Sequence, residues 1–192
     1  MRHRSRCPSG SSGWCRSVQL VTDLPSPEAR EQTLYERLRE LGIVWKTYDH
    51  VPVFTVEEAA IVNAVQPGGH TKNLFLKDKK GGFWLVVLRD DFRLDLNGLS
   101  KQIGAPRFSF GSGDLLISTL GVPPGSVTPF ALINDPERKV RVVLDKAMLE
   151  LAPVNFHPLR NDRTIAVTAA DLLKFIAACG HLPQIVTLPE AT

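Results

Sequence analysis

Apolar residues at helical spacing near the start of the chain predict a first helix. Ser26 is a favourable N-cap, Pro27 suits the first helical position, and Gly42 is a typical C-terminal stop. Between these signals the apolar residues recur every three to four positions, at Leu34, Leu38 and Leu41. An amphipathic helix therefore precedes the rest of the fold.

Three further helices and a closing one are predicted from similar signals. Thr55-Val56-Glu57-Glu58 is a capping box that opens a short helix through Val62. Residues 99–103 and 115–120 form short apolar segments of helical character, and Gly111-Ser112-Gly113 indicates a helix start before the second of them. Thr168 caps the last helix, which runs through Ala178.

Apolar runs bounded by turn residues predict the strands. Residues 73–77 and 83–88 flank the turn Lys79-Lys80-Gly81-Gly82, which is typical of a β-hairpin. Further strands are predicted at residues 43–49, 130–133, 140–144 and 184–187. Strands mixed with short helices and hairpins predict an α+β fold with a mixed, mainly antiparallel, barrel-like sheet.

Composition and charge place this pattern in one domain of ordinary globular character. The 192 residues are 43% hydrophobic and 22% charged, and no apolar run approaches the length of a membrane span. The net charge of +3 comes from residues 1–27, where four arginines face a single aspartate, so the remainder is neutral. A broad basic surface is therefore excluded, and a nucleic-acid contact has to be local, with Lys72, Lys77, Lys79 and Lys80 as candidates.

The first 25 residues differ from the rest in composition. They are rich in Ser, Gly and Arg, which predicts a disordered basic leader over residues 1–25 and one domain over residues 26–192. We expect this leader to be dispensable. The three cysteines form no metal-binding pattern and leave an odd thiol, which favours a reducing, cytoplasmic location.

A polar cluster directly before an apolar strand is the strongest indication of a site. Gly68 and Gly69 permit a close backbone approach, and His70-Thr71-Lys72-Asn73 then leads into Leu74-Phe75-Leu76. A lysine placed in this way can hold a phosphate or stabilise developing negative charge, although many such lysines are only solvated.

The segment Gly125-Ser126-Val127-Thr128-Pro129 has the form G-x-x-x-P before a predicted strand. Such a loop can present backbone N–H groups to an ester carbonyl, because glycine leaves the approach open and proline fixes the exit. A connector that merely stops a helix would have the same composition.

Two histidines precede short proline-containing segments. His157 lies in Asn155-Phe156-His157-Pro158-Leu159, where the proline restricts its backbone and would give a pocket wall a defined shape. His50 has a similar setting, and we interpret it as structural. The chain contains no G-x-S-x-G, Walker, G-x-G-x-x-G or H-E-x-x-H motif. An enzyme built from these residues would position a reactive substrate without activating a side-chain nucleophile.

Together these segments resemble the freestanding bacterial prolyl-tRNA editing proteins, relatives of the editing insertion domain of bacterial prolyl-tRNA synthetase. Residues 52–58, 69–76 and 125–129 carry the resemblance, in the family order, and His157-Pro158-Leu159 points to the alanyl-tRNA(Pro) deacylase branch. It spans about residues 28–187.

The resemblance implies hydrolysis of the ester in mischarged Ala-tRNA(Pro), with water as the nucleophile and no metal or other cofactor. It implies that Lys72 anchors the terminal adenosine phosphate region, with Asn73 beside it, and that Gly125 and its loop approach the ester. Thr55 and His157 would line the pocket, and His70 and Ser126 are further substrate-binding candidates. The implied partners are the acceptor end of tRNA(Pro) and prolyl-tRNA synthetase, with no membrane.

Other functions remain open from the residues alone. The substrate could instead be Cys-, Ser- or Thr-charged tRNA, since binding discriminates one methylene by only about 1–3 kcal/mol. A non-catalytic tRNA-binding module fits the neutral body and local lysines, and a relic fold with solvated lysines is a third reading. A panel of charged tRNAs separates these hypotheses.

Overall fold

The computed structural model describes residues 24–52 and 66–191, which form helices and mixed sheets. The helices are α1 (Pro27–Glu40), α2 (Leu96–Gln102), α3 (Gly113–Leu120) and α4 (Ala169–Ala178), with 3-10 helices at Pro129–Asn134 and Met148–Glu150. The strands are β1 (Lys46–Asp49), β2 (Thr71–Asp78), β3 (Phe83–Arg89), β4 (Phe108–Phe110), β5 (Val140–Asp145), β6 (Val154–Phe156), β7 (Arg163–Val167) and β8 (Gln184–Val186).

These strands form two sheets, and the predicted α+β class is confirmed. The larger sheet has the order β4-β2-β3-β5-β8 and the smaller one the order β1-β7-β6. The pairs β2–β3, β2–β4, β1–β7 and β6–β7 are antiparallel, whereas β3–β5 and β5–β8 are parallel. Among the described strands the sheets are mostly antiparallel and do not close into a barrel.

The large sheet separates two hydrophobic cores, and β2 contributes side chains to both. Phe75 belongs to the larger core, with α1, α3 and α4, while Leu76 belongs to a smaller core with α2 and β4. Because successive side chains of a strand point to opposite faces, Asn73 lies on the face of Phe75, and Lys72 lies on the face of Leu74 and Leu76. The large sheet is therefore covered on both sides.

The predicted N-caps of α1 and α4 are confirmed, whereas α2 and α3 begin three and two residues before the predicted starts at 99 and 115. The Ser26 hydroxyl accepts a hydrogen bond from the backbone N–H of Ala29, and the Thr168 hydroxyl accepts one from that of Asp171. Ser112 caps α3 in the same way, through the N–H of Leu115. The predicted hairpin is confirmed as β2 and β3. The predicted helix at residues 55–62 and most of the predicted leader lie outside the described residues.

Two predictions about strands need correction, and three strands were not predicted. Residues 130–133 form the 3-10 helix Pro129–Asn134, since Thr128 caps it and Pro129 occupies its first position. The strand predicted at 43–49 begins only at Lys46, because the N–H of Ile43 still bonds to the carbonyl of Leu38 at the end of α1. The strands β4, β6 and β7 were not predicted.

The two sheets meet where Gly68 and Gly69 contact the chain before β6. The N–H of Gly69 donates to the carbonyl of Pro153 over 2.8 Å, and its carbonyl accepts from the N–H of Asn155 over 3.0 Å. Gly68 has φ 104°, and a Cβ there would lie 2.6 Å from the Pro153 carbonyl oxygen. A Cβ on Gly69 would collide with Leu151. The glycine pair thus serves a close approach within the protein.

A buried ionic cluster ties α1 to the segment between β6 and β7. The carboxylate of Glu31, only 5% exposed, accepts hydrogen bonds from Arg163 Nη1 at 2.8 and 3.0 Å and from Arg160 Nη1 at 3.3 Å. It also accepts one from the Tyr35 hydroxyl, whose pKa is raised to about 12, chiefly by burial. Arg160 in turn pairs with Asp162.

Removal of Glu31 should destabilise the protein. Glu31→Ala leaves Arg163 and Arg160 without their shared carboxylate, and loss of one partner of a buried pair costs about 3–5 kcal/mol. Because Arg163 is partly exposed, we expect about 2–3 kcal/mol in the free energy of unfolding, measured by urea denaturation. Glu36→Ala is the control, since Glu36 is exposed on the same helix. An equal, small effect of both variants would show that the cluster contributes little.

Candidate functional site

A small cavity opens between the middle of β2, the start of α3 and the loop that follows α3. Its volume is about 240 Å³. This is below the roughly 300–1,000 Å³ typical of pockets for drug-sized ligands, so it suits a small group. The described residues of its wall are Asn73, Leu74, Phe75, Phe110, Gly111, Ser112, Gly113, Leu116, Pro124, Gly125 and Val127.

Asn73 supplies an unused hydrogen-bond acceptor in this mostly apolar wall. Its side-chain oxygen Oδ1 is buried and has no hydrogen-bond partner. An unsatisfied buried amide oxygen is costly, so a hydrogen bond from a donor that reaches it is favourable. Ser112, the other polar side chain of the wall, uses its hydroxyl to cap α3. Asn73 is therefore the residue of the described wall with an acceptor left for a donor such as an ammonium or hydroxyl group.

The loop at residues 124–127 forms the opposite side of the cavity. Gly125 has φ 85°, in the left-handed region that favours glycine, and the N–H of Ser126 donates to the carbonyl of Pro123 over 3.1 Å. Ser126 is buried at 1% exposure, and Thr128 caps the following 3-10 helix. Buried neighbours on the C-terminal side thus hold Gly125 in place at the cavity.

Two glycines, Gly111 and Gly113, allow the backbone to approach Phe75 and Pro124 closely at the cavity. The N–H of Gly111 donates to the carbonyl of Phe75 over 2.9 Å, and a Cβ on Gly111 would collide with the Phe75 ring. A Cβ on Gly113 would lie 3.1 Å from Cγ of Pro124. In the sequence these glycines indicate only a helix start. Their contacts are with Phe75 and Pro124, which lie 36 and 11 positions away and come close only in the folded chain.

Lys72 does not share the cavity with Asn73. Its Nζ donates to the carbonyl of Asp90 over 2.9 Å, at the end of β3, and it lies on the opposite face of β2. His70 is also outside the described wall, where its Nε2 lies 3.1 Å from the carbonyl of Gln66. The structure therefore brings Asn73 and Gly125 together and places Lys72 elsewhere. Thr55 lies outside the described residues.

His157 lies at the end of β6, next to His50. The two rings are 6.0 Å apart, Nδ1 of His157 lies 3.0 Å from the carbonyl of Arg163, and Nε2 of His50 lies 3.0 Å from the Thr164 hydroxyl. Burial lowers the pKa of His157 from its ordinary value of 6.5, so the ring is neutral at pH 7. His157 is not among the described residues of the cavity wall.

The described residues offer few conventional catalytic groups. Burial raises the pKa of the Cys179 thiol to about 11, so it stays protonated and is a poor nucleophile. Within residues 24–52 and 66–191, no group of three His, Cys, Asp or Glu side chains could hold a metal ion. No helix in the same ranges is long and apolar enough to cross a membrane.

The buried position of His157 predicts a pH dependence of stability. Because its pKa is lower in the folded than in the unfolded state, the stabilisation is complete above about pH 6.5 and is lost as the pH falls through the folded-state pKa. His157→Gln should therefore flatten the change in free energy of unfolding between about pH 7.5 and 5, measured by urea denaturation. Parallel curves for the variant and the parent would contradict this.

Comparison with known proteins agrees with this architecture. Residues 50–175 match the aminoacyl-tRNA editing domain. The chain is 40% identical over 164 residues to prolyl-tRNA synthetase associated domain-containing protein 1 of Danio rerio, covering 84% of this chain and 89% of the relative. It is 35% identical over 159 residues to the prolyl-tRNA editing protein ProX of Acetoanaerobium sticklandii, covering 82% and 97%.

A solved structure shares the fold. It is described as a candidate trans-editing enzyme for prolyl-tRNA synthetase, and it superposes with a TM-score of 0.65 at 21% identity, over 84% of this chain and 98% of that one. Because a vertebrate protein is among the relatives, the similarity extends beyond the bacterial proteins that the sequence motifs resemble. The match over residues 50–175 and the two relatives, which align with 84% and 82% of the chain, show that the chain belongs to the aminoacyl-tRNA editing domain family.

Proposed function

We propose that this protein hydrolyses the ester bond of mischarged tRNA(Pro), with Ala-tRNA(Pro) as its substrate. The observation that carries the proposal is a small cavity lined by Asn73, whose side-chain oxygen has no hydrogen-bond partner, and faced by the Gly125 loop. The names of the relatives, which refer to prolyl-tRNA synthetase and prolyl-tRNA editing, support the choice of tRNA.

The size of the cavity supports a small amino acid. A volume of about 240 Å³ must hold the aminoacyl group and leave room for the attacking water. Its walls are the rings and aliphatic groups of Phe75, Leu116 and Val127, which suit a methyl side chain. Rigid walls exclude larger side chains sterically, whereas differences in binding energy alone discriminate poorly between amino acids of similar size.

Asn73 is suited to the amino group of the substrate. The α-amino group has a pKa of about 8, so it is mostly protonated at pH 7 and donates hydrogen bonds. A buried carbonyl oxygen without a donor is the complementary group, and hydrogen bonds to charged groups contribute about 1.5–3 kcal/mol. This contact would hold the ester at a fixed depth in the cavity.

The Gly125 loop is suited to the ester carbonyl. Its glycine lacks a side chain, so backbone N–H groups can come within hydrogen-bond distance of the oxyanion that develops during attack. Removal of one such donor in an enzyme lowers kcat by about a hundredfold or more. The loop is held by the buried Ser126 and Thr128, so no reorganisation is required during the reaction.

Water is the nucleophile in this proposal. The Ser112 hydroxyl is committed to capping α3, and the Cys179 thiol is protonated. His157 is not among the described residues of the cavity wall, so its role in the site stays a prediction, as does that of Thr55. Lys72 would hold a phosphate outside the amino-acid cavity, since its Nζ lies on the other face of β2.

Deacylation assays test these roles. Asn73→Ala should lower kcat/KM for Ala-tRNA(Pro) by about tenfold to a hundredfold, as expected for a lost hydrogen bond to a charged group. Lys72→Ala should also greatly reduce activity, mainly by raising KM, because its proposed contact is with the tRNA and not with the reacting ester. Release of alanine under steady-state conditions measures both.

The matched control is Asn97→Ala, since Asn97 is exposed on α2 and outside the cavity. Full activity of Asn73→Ala would remove Asn73 from the site, and full activity of Lys72→Ala would remove the proposed anchor. The parent protein should be tested on Cys-, Ser- and Thr-charged tRNA as well. Faster hydrolysis of one of these would replace alanine as the substrate, and tight tRNA binding without hydrolysis would indicate a binding module.

A further inference from the structure

The carboxyl end of β5 carries a buried carboxylate that hydrogen bonds satisfy only in part. Asp145 is the last residue of this strand and is 3% exposed. Its Oδ1 accepts a hydrogen bond from the N–H of Ala147 over 3.2 Å, whereas its Oδ2 is buried without a hydrogen-bond partner. A buried carboxylate is costly unless a cation lies close to it. The charge of Asp145 therefore needs compensation from a neighbouring side chain.

Arg89, the last residue of β3, supplies this compensation. Its Nε lies 3.9 Å from Oδ2 of Asp145 and 3.7 Å from Oδ1 of Asp91. This Nε is itself buried without a hydrogen-bond partner, so charge and not hydrogen bonding joins Arg89 to Asp145. Among the residues that the structure describes, Asp145 forms no other ion pair. Asp91 is exposed, so water screens its charge.

The contacts of Arg89 place its guanidinium group on the side of the smaller core. Strand alternation alone would direct the side chain to the other face, since Arg89 pairs with Thr71. Because Arg89 ends the strand, its side chain can bend past the strand end. Its Cζ lies 5.8 Å from the centre of the Phe92 ring, which packs against the smaller core. Asp145 lies on the same side, two residues after the core residue Val143.

Lys72 also lies on this side, in line with Asp145. Lys72 pairs with Leu88 in the register of β2 and β3. The register of β3 and β5 pairs Val87 with Leu144, so the next positions, Leu88 and Asp145, are neighbours. Lys72, Leu88 and Asp145 thus form a row across three strands, and its outer backbone positions are about 10 Å apart, which is twice the spacing of neighbouring strands. Lys72 is the cation of this row.

The Lys72 ammonium group depends on the end of β3 for its position. Its Nζ donates to the carbonyl of Asp90 over 2.9 Å, and Asp90 directly follows Arg89. The N–H of Asp90 donates to the carbonyl of His70 over 3.1 Å, which joins this turn to the start of β2. The contact with the carbonyl uses one of the three ammonium donors of Lys72. An uncompensated carboxylate in the same row would attract the ammonium group away from this carbonyl.

We propose that Arg89 is a positioning residue for Lys72. By compensating the charge of Asp145, it keeps the Lys72 ammonium group at the Asp90 carbonyl, with donors left for a phosphate of the substrate. Arg89 contacts neither the ester nor the amino acid in this role. The inference rests on the proposed function for its ligand, because the phosphate contact of Lys72 belongs to that proposal. The coupling of Arg89, Asp145 and Lys72 is measurable without any substrate.

NMR of the lysine ammonium groups in the full chain tests this coupling first. The Lys72 signal is assigned from its loss in Lys72→Ala. Arg89→Gln should shift the signal, because the charge of Asp145 is then uncompensated, and the double variant Arg89→Gln/Asp145→Asn should return it towards the parent position. Arg89→Lys keeps the positive charge and should leave the signal near that of the parent. An unmoved signal in Arg89→Gln, or no return in the double variant, would overturn the inference.

Deacylation kinetics test the consequence for the substrate. Arg89→Gln should leave kcat nearly unchanged and raise KM for charged tRNA by about threefold to fifteenfold, the effect of two unit charges about 10 Å apart near a protein surface, with and without screening by salt. Asp145→Asn, alone or in the double variant, should leave KM at or below the parent value, since the competing charge is then absent. A raised KM in Asp145→Asn contradicts the role even where Arg89→Gln does not fold.

The matched control is Arg93→Gln, which removes the same charge four residues away. Arg93 is exposed and forms no ion pair with another described residue, so its loss should leave KM unchanged. An effect as large as that of Arg89→Gln would show that net charge alone is responsible. Arg89→Gln added to Lys72→Ala should raise KM no further, because the ammonium group that Arg89 positions is then absent, and an additive effect would contradict the coupling.

The inference and the proposed function fail on different results. If the parent hydrolyses no charged tRNA, the proposed function is overturned, while the NMR signal still reports whether Arg89 positions Lys72. If the parent hydrolyses Ala-tRNA(Pro) and the double variant keeps the raised KM of Arg89→Gln, Arg89 acts through its packing on Phe92 and the inference is overturned. A fall in kcat without a change in KM in Arg89→Gln would overturn it as well.

Discussion

The close backbone contact between Gly68-Gly69 and the segment before β6 is the constraint on which the site depends. It joins the two sheets through the hydrogen bonds of Gly69 with Pro153 and Asn155, and through that of the Thr71 hydroxyl with the carbonyl of Asn155 over 2.7 Å. It fixes where β2 begins, and therefore the register of Asn73. Any side chain at these two glycines would separate the sheets, because the space is taken by Leu151 and Pro153.

Local signals in the sequence were enough for the helices with side-chain caps and for the β2–β3 hairpin. Ser26 and Thr168 cap the helices that they were expected to cap, since a cap depends on residues three positions away. The three-residue strands β4 and β6 could not be predicted, because so short a segment becomes a strand only through its partners. The apolar run after Pro129 was assigned wrongly for a related reason: when all residues are buried, periodicity does not distinguish a strand from a helix.

The candidate site was predicted only in part. Asn73 and the Gly125 loop were identified from their sequence context, and the structure places both at one cavity. Phe110, Leu116 and Gly111 were not identified as site residues, because each is ordinary in sequence and acquires its position from tertiary contacts, such as the pairing of Phe110 with Leu76 and the hydrogen bond from Gly111 to Phe75. The alternation of side chains along a strand does predict from the sequence that Lys72 and Asn73 lie on opposite faces of β2.

That separation has a consequence for how substrate choice can change. Two residues adjacent in sequence usually influence each other. Here the backbone of β2 separates the Lys72 ammonium group, which donates to the carbonyl of Asp90, from the Asn73 side chain at the cavity wall. Under the proposed function, substitutions at position 73 would alter which amino acid is accepted without disturbing the phosphate contact proposed for Lys72, and the reverse would also hold. Under the proposed function, β2 would act as a partition, so that two adjacent residues select the amino acid and the phosphate of an aminoacyl-tRNA independently.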